Sequence, residues 1–213
     1  MATTNRSKLV EIAAILEGVP YEILTLADFP NVAAPEETGR TFADNARAKA
    51  LYYARATGEL TVAEDSGLEI DALDGVPGVE SARYGGADAS YPQKFARIYD
   101  ALRANHATDS PARFVCAVAL ASLGTPGGAP SAAAALGTPG GSRVLFETNG
   151  VIEGQIASEP KGEEGFGYDP IFFYPPFGRT LAEAGDRKST VSHRGQAFRA
   201  LRVFLVQGLN PNS

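Results

Sequence analysis

Thr61-Val62-Ala63-Glu64-Asp65-Ser66-Gly67 reads as a strand that runs into two acids, a hydroxyl and a glycine. The β-branched Thr61 and Val62 favour extended backbone. A strand ending this way sets carboxylates at a sheet edge with room for a ligand. Hard oxygen ligands of that kind suit Mg2+, which keeps several waters and binds phosphate oxygens. Asp-Ser-Gly is also ordinary turn chemistry. On local spacing alone a solvated turn is the stronger reading, with 61–65 and 68–71 as short strands on either side of it.

Outward from this stretch, helix and strand patterns alternate. Upstream, 7–17 reads as a helix with Leu9, Ile12, Ala13 and Leu16 on one face and Gly18 as its stop. Residues 21–26 alternate like a strand, and 27–40 form a loop with three acids and two prolines. Thr41 caps a helix that runs to Thr57, with Gly58 ending it. Downstream, 72–90 is a glycine-rich loop. Ser90 and Gln93 resemble a capping box at the head of a helix with Phe95, Ile98, Tyr99 and Leu102 inward. Strands are expected at 113–123, 143–149 and 151–158, and a capped turn at Thr180 and Glu183. Ser192 starts a last helix that buries Ala197, Phe198, Leu201 and Leu205.

The length of 213 residues and an apolar fraction of 44% suit one domain, 1–213, with room for two lobes. A net charge of −6 argues against a broad basic surface for a nucleic-acid polymer. An acidic chain that binds a small polyanion needs local Lys or Arg and a divalent cation. The one cysteine, Cys116, allows no intrachain disulfide and points to a reducing, cytoplasmic setting. The longest apolar run, 114–123, is too short for a bilayer. Lys8, Glu11 and Glu17 interrupt any signal-peptide core, so no membrane partner is expected.

Leu123-Gly124-Thr125-Pro126-Gly127-Gly128 recurs as Leu136-Gly137-Thr138-Pro139-Gly140-Gly141. Two copies are too few for a solenoid. Residues 124–141 read as a flexible insertion at a hairpin tip.

Candidate chemistry gathers in few places. Glu36-Glu37 precedes the Thr41 helix, where a loop carboxylate can complete a metal site. Asn5 and Lys8 begin the first helix, whose free N–H groups attract anions. Lys49 lies one turn past Asn45, so both point to one side. Lys161, Lys188 and Arg194 are further cation candidates. In Gly165-Phe166-Gly167-Tyr168-Asp169-Pro170 a ring lies between two permissive glycines, either against a planar ligand or plugged into the core. His193 sits between Ser192 and Arg194 at a helix start, a ligand-like setting, whereas His106 reads as a helix-end residue. There is no His/Cys cluster with zinc spacing, no P-loop motif and no nucleophile elbow.

At these residues the chain resembles the inosine/xanthosine triphosphate pyrophosphatase family over almost its whole length. The blocks follow in family order. They are Thr3-Thr4-Asn5-Arg6-Ser7-Lys8, then Glu37-Thr38-Gly39 with Thr41-Phe42, Asn45-Ala46 and Lys49-Ala50, then Asp65-Ser66-Gly67-Leu68. Pro77-Gly78, Ser81-Ala82-Arg83-Tyr84, Phe166-Gly167-Tyr168-Asp169-Pro170 and Ser192-His193-Arg194 complete the series.

The resemblance implies an α/β fold: an elongated, twisted mixed β-sheet with flanking helices and two lobes around a central cleft. It implies a homodimer and Mg2+-dependent conversion of inosine, deoxyinosine or xanthosine triphosphate to the monophosphate and pyrophosphate. It makes Asp65 the catalytic carboxylate and Glu37 with Asp65 the metal ligands, Glu36 and Glu64 being alternatives to Glu37. Lys8, Asn5, Lys49 and Lys188 hold the triphosphate. Phe166 stacks on the base, and Asp169, His193 and Arg194 read its 6-keto edge. Thr3, Ser66, Gly167 and Tyr168 complete the substrate-binding set. A pyrophosphatase for other modified nucleotides, or a nucleotide-binding protein without catalysis, is the alternative.

The chain departs from the family pattern at Thr4, which replaces glycine and tightens a phosphate loop, and at the 124–141 insertion. Relatives also carry several apolar strand residues before the first block. The expectation is therefore a natural start several residues upstream, with an apolar segment before Met1.

Overall fold

The computed structural model describes residues 1–3, 5–86, 88–107, 109–124 and 141–208. The expectation for Thr4 and the interior of the 124–141 insertion lie outside the described residues. The chain is α/β. Its helices are α1 (Arg6–Ile15), α2 (Phe42–Thr57), α3 (Tyr91–Ala104), the single-turn α4 (Lys188–Val191) and α5 (His193–Gln207). Its strands are β1 (Thr61–Ile70), β2 (Pro111–Leu123), β3 (Ser142–Ile156), β4 (Phe172–Tyr174) and β5 (Arg179–Thr180). They form one sheet in the order β1-β2-β3-β4-β5. β4 runs antiparallel to β3, with Gln155 opposite Phe173, and antiparallel to β5, with Phe173 opposite Thr180.

The chain divides into two compact units. The first takes Met1–Asp65, Ala117–Asn149 and the chain from Ala197 on; the second takes Ser66–Cys116 and Gly150–Gln196.

In the first unit the helix ends follow their cap chemistry. Asn5 Oδ1 accepts the Lys8 N–H at 3.2 Å, so α1 starts just before the expected point. Thr41 Oγ1 accepts the Asp44 N–H at 3.1 Å, and Gly58 closes α2 in the left-handed region at φ +78°. Ala46, Ala50, Tyr53 and Ala54 bury one stripe of α2. Arg55 at its end donates to Ser142 Oγ at 2.8 Å, where β3 begins. Gly124 N–H donates to Gly141 O at 2.7 Å, so the chain leaves β2 and returns to β3 at one place.

The expected strand at 21–26 does not form. Thr25 instead caps one 3-10 turn, Leu26–Asp28: its N–H donates to Asp28 Oδ2 at 2.8 Å and its hydroxyl accepts the Ala27 N–H at 3.3 Å. The Met1 ammonium donates to Leu24 O at 2.6 Å, while the next N–H, that of Ala2, donates to Val62 O at 2.9 Å. Beside this two-residue bridge lies a cavity of about 370 Å3 lined by Leu16, Val19, Leu24, Leu26, Phe29 and Leu120.

In the second unit α3 opens as expected, with Ser90 N–H donating to Gln93 Oε1 at 2.8 Å. Its Phe95, Ile98 and Leu102 pack with Leu68, Ile70, Phe114 and Phe172 in one buried cluster. Cys116 is wholly buried.

Two expected breaks are absent. Strand β1 runs unbroken through Ser66-Gly67, so no turn interrupts it. Gly67 is needed for close approach: a Cβ there would overlap Ser81 Oγ and stand 2.7 Å from Gly78 O. Leu68 N–H donates to the same Ser81 hydroxyl at 2.9 Å. Likewise 143–149 and 151–158 merge into the single strand β3. Among the described residues, no helix is long and apolar enough to cross a membrane.

Candidate active site

The candidate side chains form two constellations, each within one unit. In the first unit, β1 presents Asp65 and one face of α2 presents Asn45 and Lys49, one turn apart. Lys49 Nζ lies 2.6 Å from Glu37 Oε1 and 3.3 Å from Asp65 Oδ1. Asn45 Nδ2 donates to Asp65 Oδ2 at 3.0 Å, and its Oδ1 accepts the Gly39 N–H at 2.8 Å. One buried amide thus anchors the 36–39 loop and orients the carboxylate. Glu36 stays exposed, so Glu37 is the loop acid brought to Asp65.

Adjacent strand residues face opposite ways. Glu64 is accordingly taken by a different lysine, Lys8 of the first turn of α1, and its side chain is 2% exposed. Thr3 Oγ1 accepts the Asn5 N–H at 3.2 Å, so Thr3, Asn5 and Lys8 share the head of that helix.

Burial dominates the electrostatics at Asp65 and raises its carboxyl pKa above 3.8. Lys49 and the Asn45 hydrogen bond pull it down, Glu37 and Glu64 push it up again, and the balance stays raised. At Lys49 burial opposes the charge, but Asp65, then Glu37 and Glu64, outweigh it and lift the pKa. A carboxylate whose pKa is raised is a stronger base than an ordinary one and better suited to taking a proton.

The donor set also bears on the metal. Among the described residues, no group of three or more His, Cys, Asp or Glu is arranged around one point. Two carboxylates sharing the Lys49 cation are present instead. That fits a divalent ion of the Mg2+ kind, bound by one or two carboxylates and otherwise by water and substrate phosphates.

In the second unit, Gly165 at φ +77° and Gly167 at φ +70° fold the 165–169 loop back on itself. Phe166 N–H donates to Asp169 Oδ2 at 2.7 Å, and Lys188 Nζ meets the same oxygen at 2.6 Å. The half-buried Phe166 ring has Lys188 Nζ 4.4 Å and Arg194 Cζ 5.5 Å from its centroid. Buried Arg194 donates to Ser66 Oγ at 2.9 Å. His193 stacks on Phe114 at 4.9 Å with 12° between the planes, and the Ser192 hydroxyl accepts the Gly195 N–H at 2.9 Å.

Tyr168 differs from its neighbours. It is buried and donates its hydroxyl to Ser81 O at 2.8 Å, so it supports the loop from beneath. Lys188, expected beside the phosphate-holding residues, is grouped by its contacts with Phe166 and Asp169. Lys161 projects outward onto Glu159 at 3.2 Å. Sequence reasoning missed Tyr91 and named Ser81 only within a family block, without its part in bracing this loop; long-range contacts through Tyr168 assign both.

Residues 1–204 match the model of the Ham1 family. The chain is 43% identical to the dITP/XTP pyrophosphatase of Geobacter sulfurreducens, over 96% of this chain and 94% of that one. It is 40% identical to the dITP/XTP pyrophosphatase of Listeria monocytogenes, over 97% and 94%. Among solved structures, a HAM1 protein from Coxiella burnetii is similar with a TM-score of 0.82 at 38% identity, covering 97% of each chain. A nucleoside-triphosphatase, dITP/XTP pyrophosphatase, from Mycobacterium abscessus is similar with a TM-score of 0.70 at 37% identity, covering 94% and 96%.

Proposed function

The chain belongs to the Ham1 family, and on that premise we propose that it hydrolyses altered purine nucleoside triphosphates to the monophosphate and pyrophosphate. The substrates are ITP, dITP and XTP. The observation that carries the reading is Asp65, buried, oriented by Asn45, balanced by Lys49 and raised in pKa.

In this reading Asp65 orients a water and takes its proton as the water attacks the α-phosphorus; pyrophosphate leaves. Asn45 holds Oδ2 and so orients the carboxylate, with Oδ1 facing Lys49. Lys49, with Lys8, Asn5 and Thr3 at the head of α1, holds the phosphates. Glu37 and Asp65 would hold Mg2+, which when bound offsets phosphate charge.

The second constellation reads the base. Phe166 is the platform; Lys188 and Arg194, with His193, supply donors to the 6-keto oxygen, and Ser66, Gly167, Tyr168 and Asp169 set their positions. Adenine presents an amino group where hypoxanthine and xanthine present a carbonyl, so donors are left unpaired against ATP. The same reading takes 1–213 as one catalytic domain, working as a homodimer in the cytoplasm. The single buried cysteine supports that compartment.

The test is pyrophosphate release across a nucleotide panel with Mg2+ present and absent. ITP, dITP and XTP are expected to exceed ATP at least about a hundredfold in kcat/KM. Equal turnover of ATP overturns the reading.

A further inference from the structure

Tyr91 opens α3 in the second unit, and no motif points to it. Its ring meets Tyr168 edge-on, with centroids 5.4 Å apart at 90°, and lies 6.1 Å from Phe95. The ammonium of Lys94, a buried lysine that also donates to Ala82 O at 2.5 Å, stands over the ring at 4.8 Å. Three neighbours therefore fix the ring, yet the residue is 39% exposed.

The hydroxyl end faces the base-reading loop. A Cβ placed on Gly167 would lie 3.7 Å from Tyr91 Oη, so the phenol looks across bare backbone next to Phe166. No hydrogen bond joins this hydroxyl to another described residue. Lys188 and Arg194 approach Phe166 through its ring, and Tyr91 reaches the loop at the following residue.

We propose that the Tyr91 hydroxyl donates to the 2-keto oxygen of a bound xanthine base and so sets the preference for XTP over ITP. The inference rests on Phe166 being the base platform. Hypoxanthine carries only hydrogen at carbon 2 and offers that hydroxyl nothing to bond. Xanthine carries an acceptor there. Burial first, and the Asp169 carboxylate second, raise the pKa of the phenol, which keeps it a protonated donor near neutral pH.

Tyr91→Phe keeps the ring, its contact with Tyr168 and the cation above it, and removes the hydroxyl alone. XTP and ITP hydrolysis are measured in the wild type and the variant, with KM and kcat separated and melting followed in parallel. The expected result is a fall in kcat/KM for XTP of about three- to tenfold, mostly in KM, the size of one neutral hydrogen bond. ITP is expected to stay within about twofold and melting to be unchanged. Equal falls for both substrates would mean that the residue only places the ring, and unchanged XTP kinetics would mean that the hydroxyl touches nothing; either overturns the inference while leaving the activity in place. A wild type that hydrolyses neither substrate overturns the functional reading and this inference with it.

Discussion

Asp65 carries two demands at once, burial and charge, and its surroundings are arranged to meet both. Asn45 donates to one oxygen, Lys49 faces the other, and the pKa still rises because desolvation is the largest influence. Activity that needs the deprotonated form then climbs with pH through a midpoint above the ordinary carboxylate value of 3.8. Asp65→Asn is expected to lower kcat by roughly 10²–10⁴ and to abolish that limb of the pH profile. The sign for stability is opposite. A raised native pKa means that the folded state binds more protons than the unfolded one between 3.8 and the native value. Across that window the wild type therefore loses stability with rising pH relative to the variant. Near-normal turnover in the variant, with an intact acid limb, would place the base elsewhere. At this scale the acids were legible and their context was not. Asp65-Ser66-Gly67 has the composition of a turn, and what makes it strand is Ser81, a residue far along the chain that leaves no room for a side chain at Gly67.

Elements with strong end signals were read nearly to the residue. Thr41 and Gly58 bound α2, and Ser90 with Gln93 opens α3, because caps are local chemistry. Elements defined by pairing were not. β4 and β5 span three and two residues, too few for any periodicity, and exist through their register with β3 and with each other. The alternation at 21–26 failed for the converse reason: Thr25 and Asp28 offered a local turn instead. The repeat between β2 and β3 tests how far an insertion can be ignored. Because Gly124 and Gly141 bond to each other, the chain re-enters where it left. Deleting 124–136 leaves one copy of the repeated segment; activity and melting temperature are expected to change little. Loss of activity in the deletion variant would give the insertion a working part in the enzyme.

At the scale of the whole molecule, the first two residues tie together two segments distant in sequence. Met1 and Ala2 send successive N–H groups to opposite walls, Leu24 O and Val62 O, as a central strand does. The ammonium is held there against burial, which lowers its pKa below 8.0. A cavity of about 370 Å3, lined by Leu16, Val19, Leu24, Leu26, Phe29 and Leu120 among others, lies alongside. Adding about five residues of the type Lys-Val-Val-Val-Leu before Ala2 is expected to stabilise the protein. Two newly buried aliphatic side chains contribute up to ~3–6 kcal/mol, which a thermal melt resolves easily. An extended chain that melts no higher would mean that the cavity does not admit a strand. The family and the general α/β build were readable from motif order, whereas this cavity was not, since it arises from side chains of segments distant in sequence.

Cys116 gives the molecule a built-in clock. It is the one thiol in the chain and it is wholly buried in β2. A water-soluble thiol reagent therefore has nothing to modify until the strand around that sulfur opens. When closing outruns modification, the observed labelling rate is the intrinsic rate multiplied by the equilibrium constant for opening. Protection conferred by a nucleotide would then register as slower labelling of a single atom, with no chromophore attached and no background to subtract.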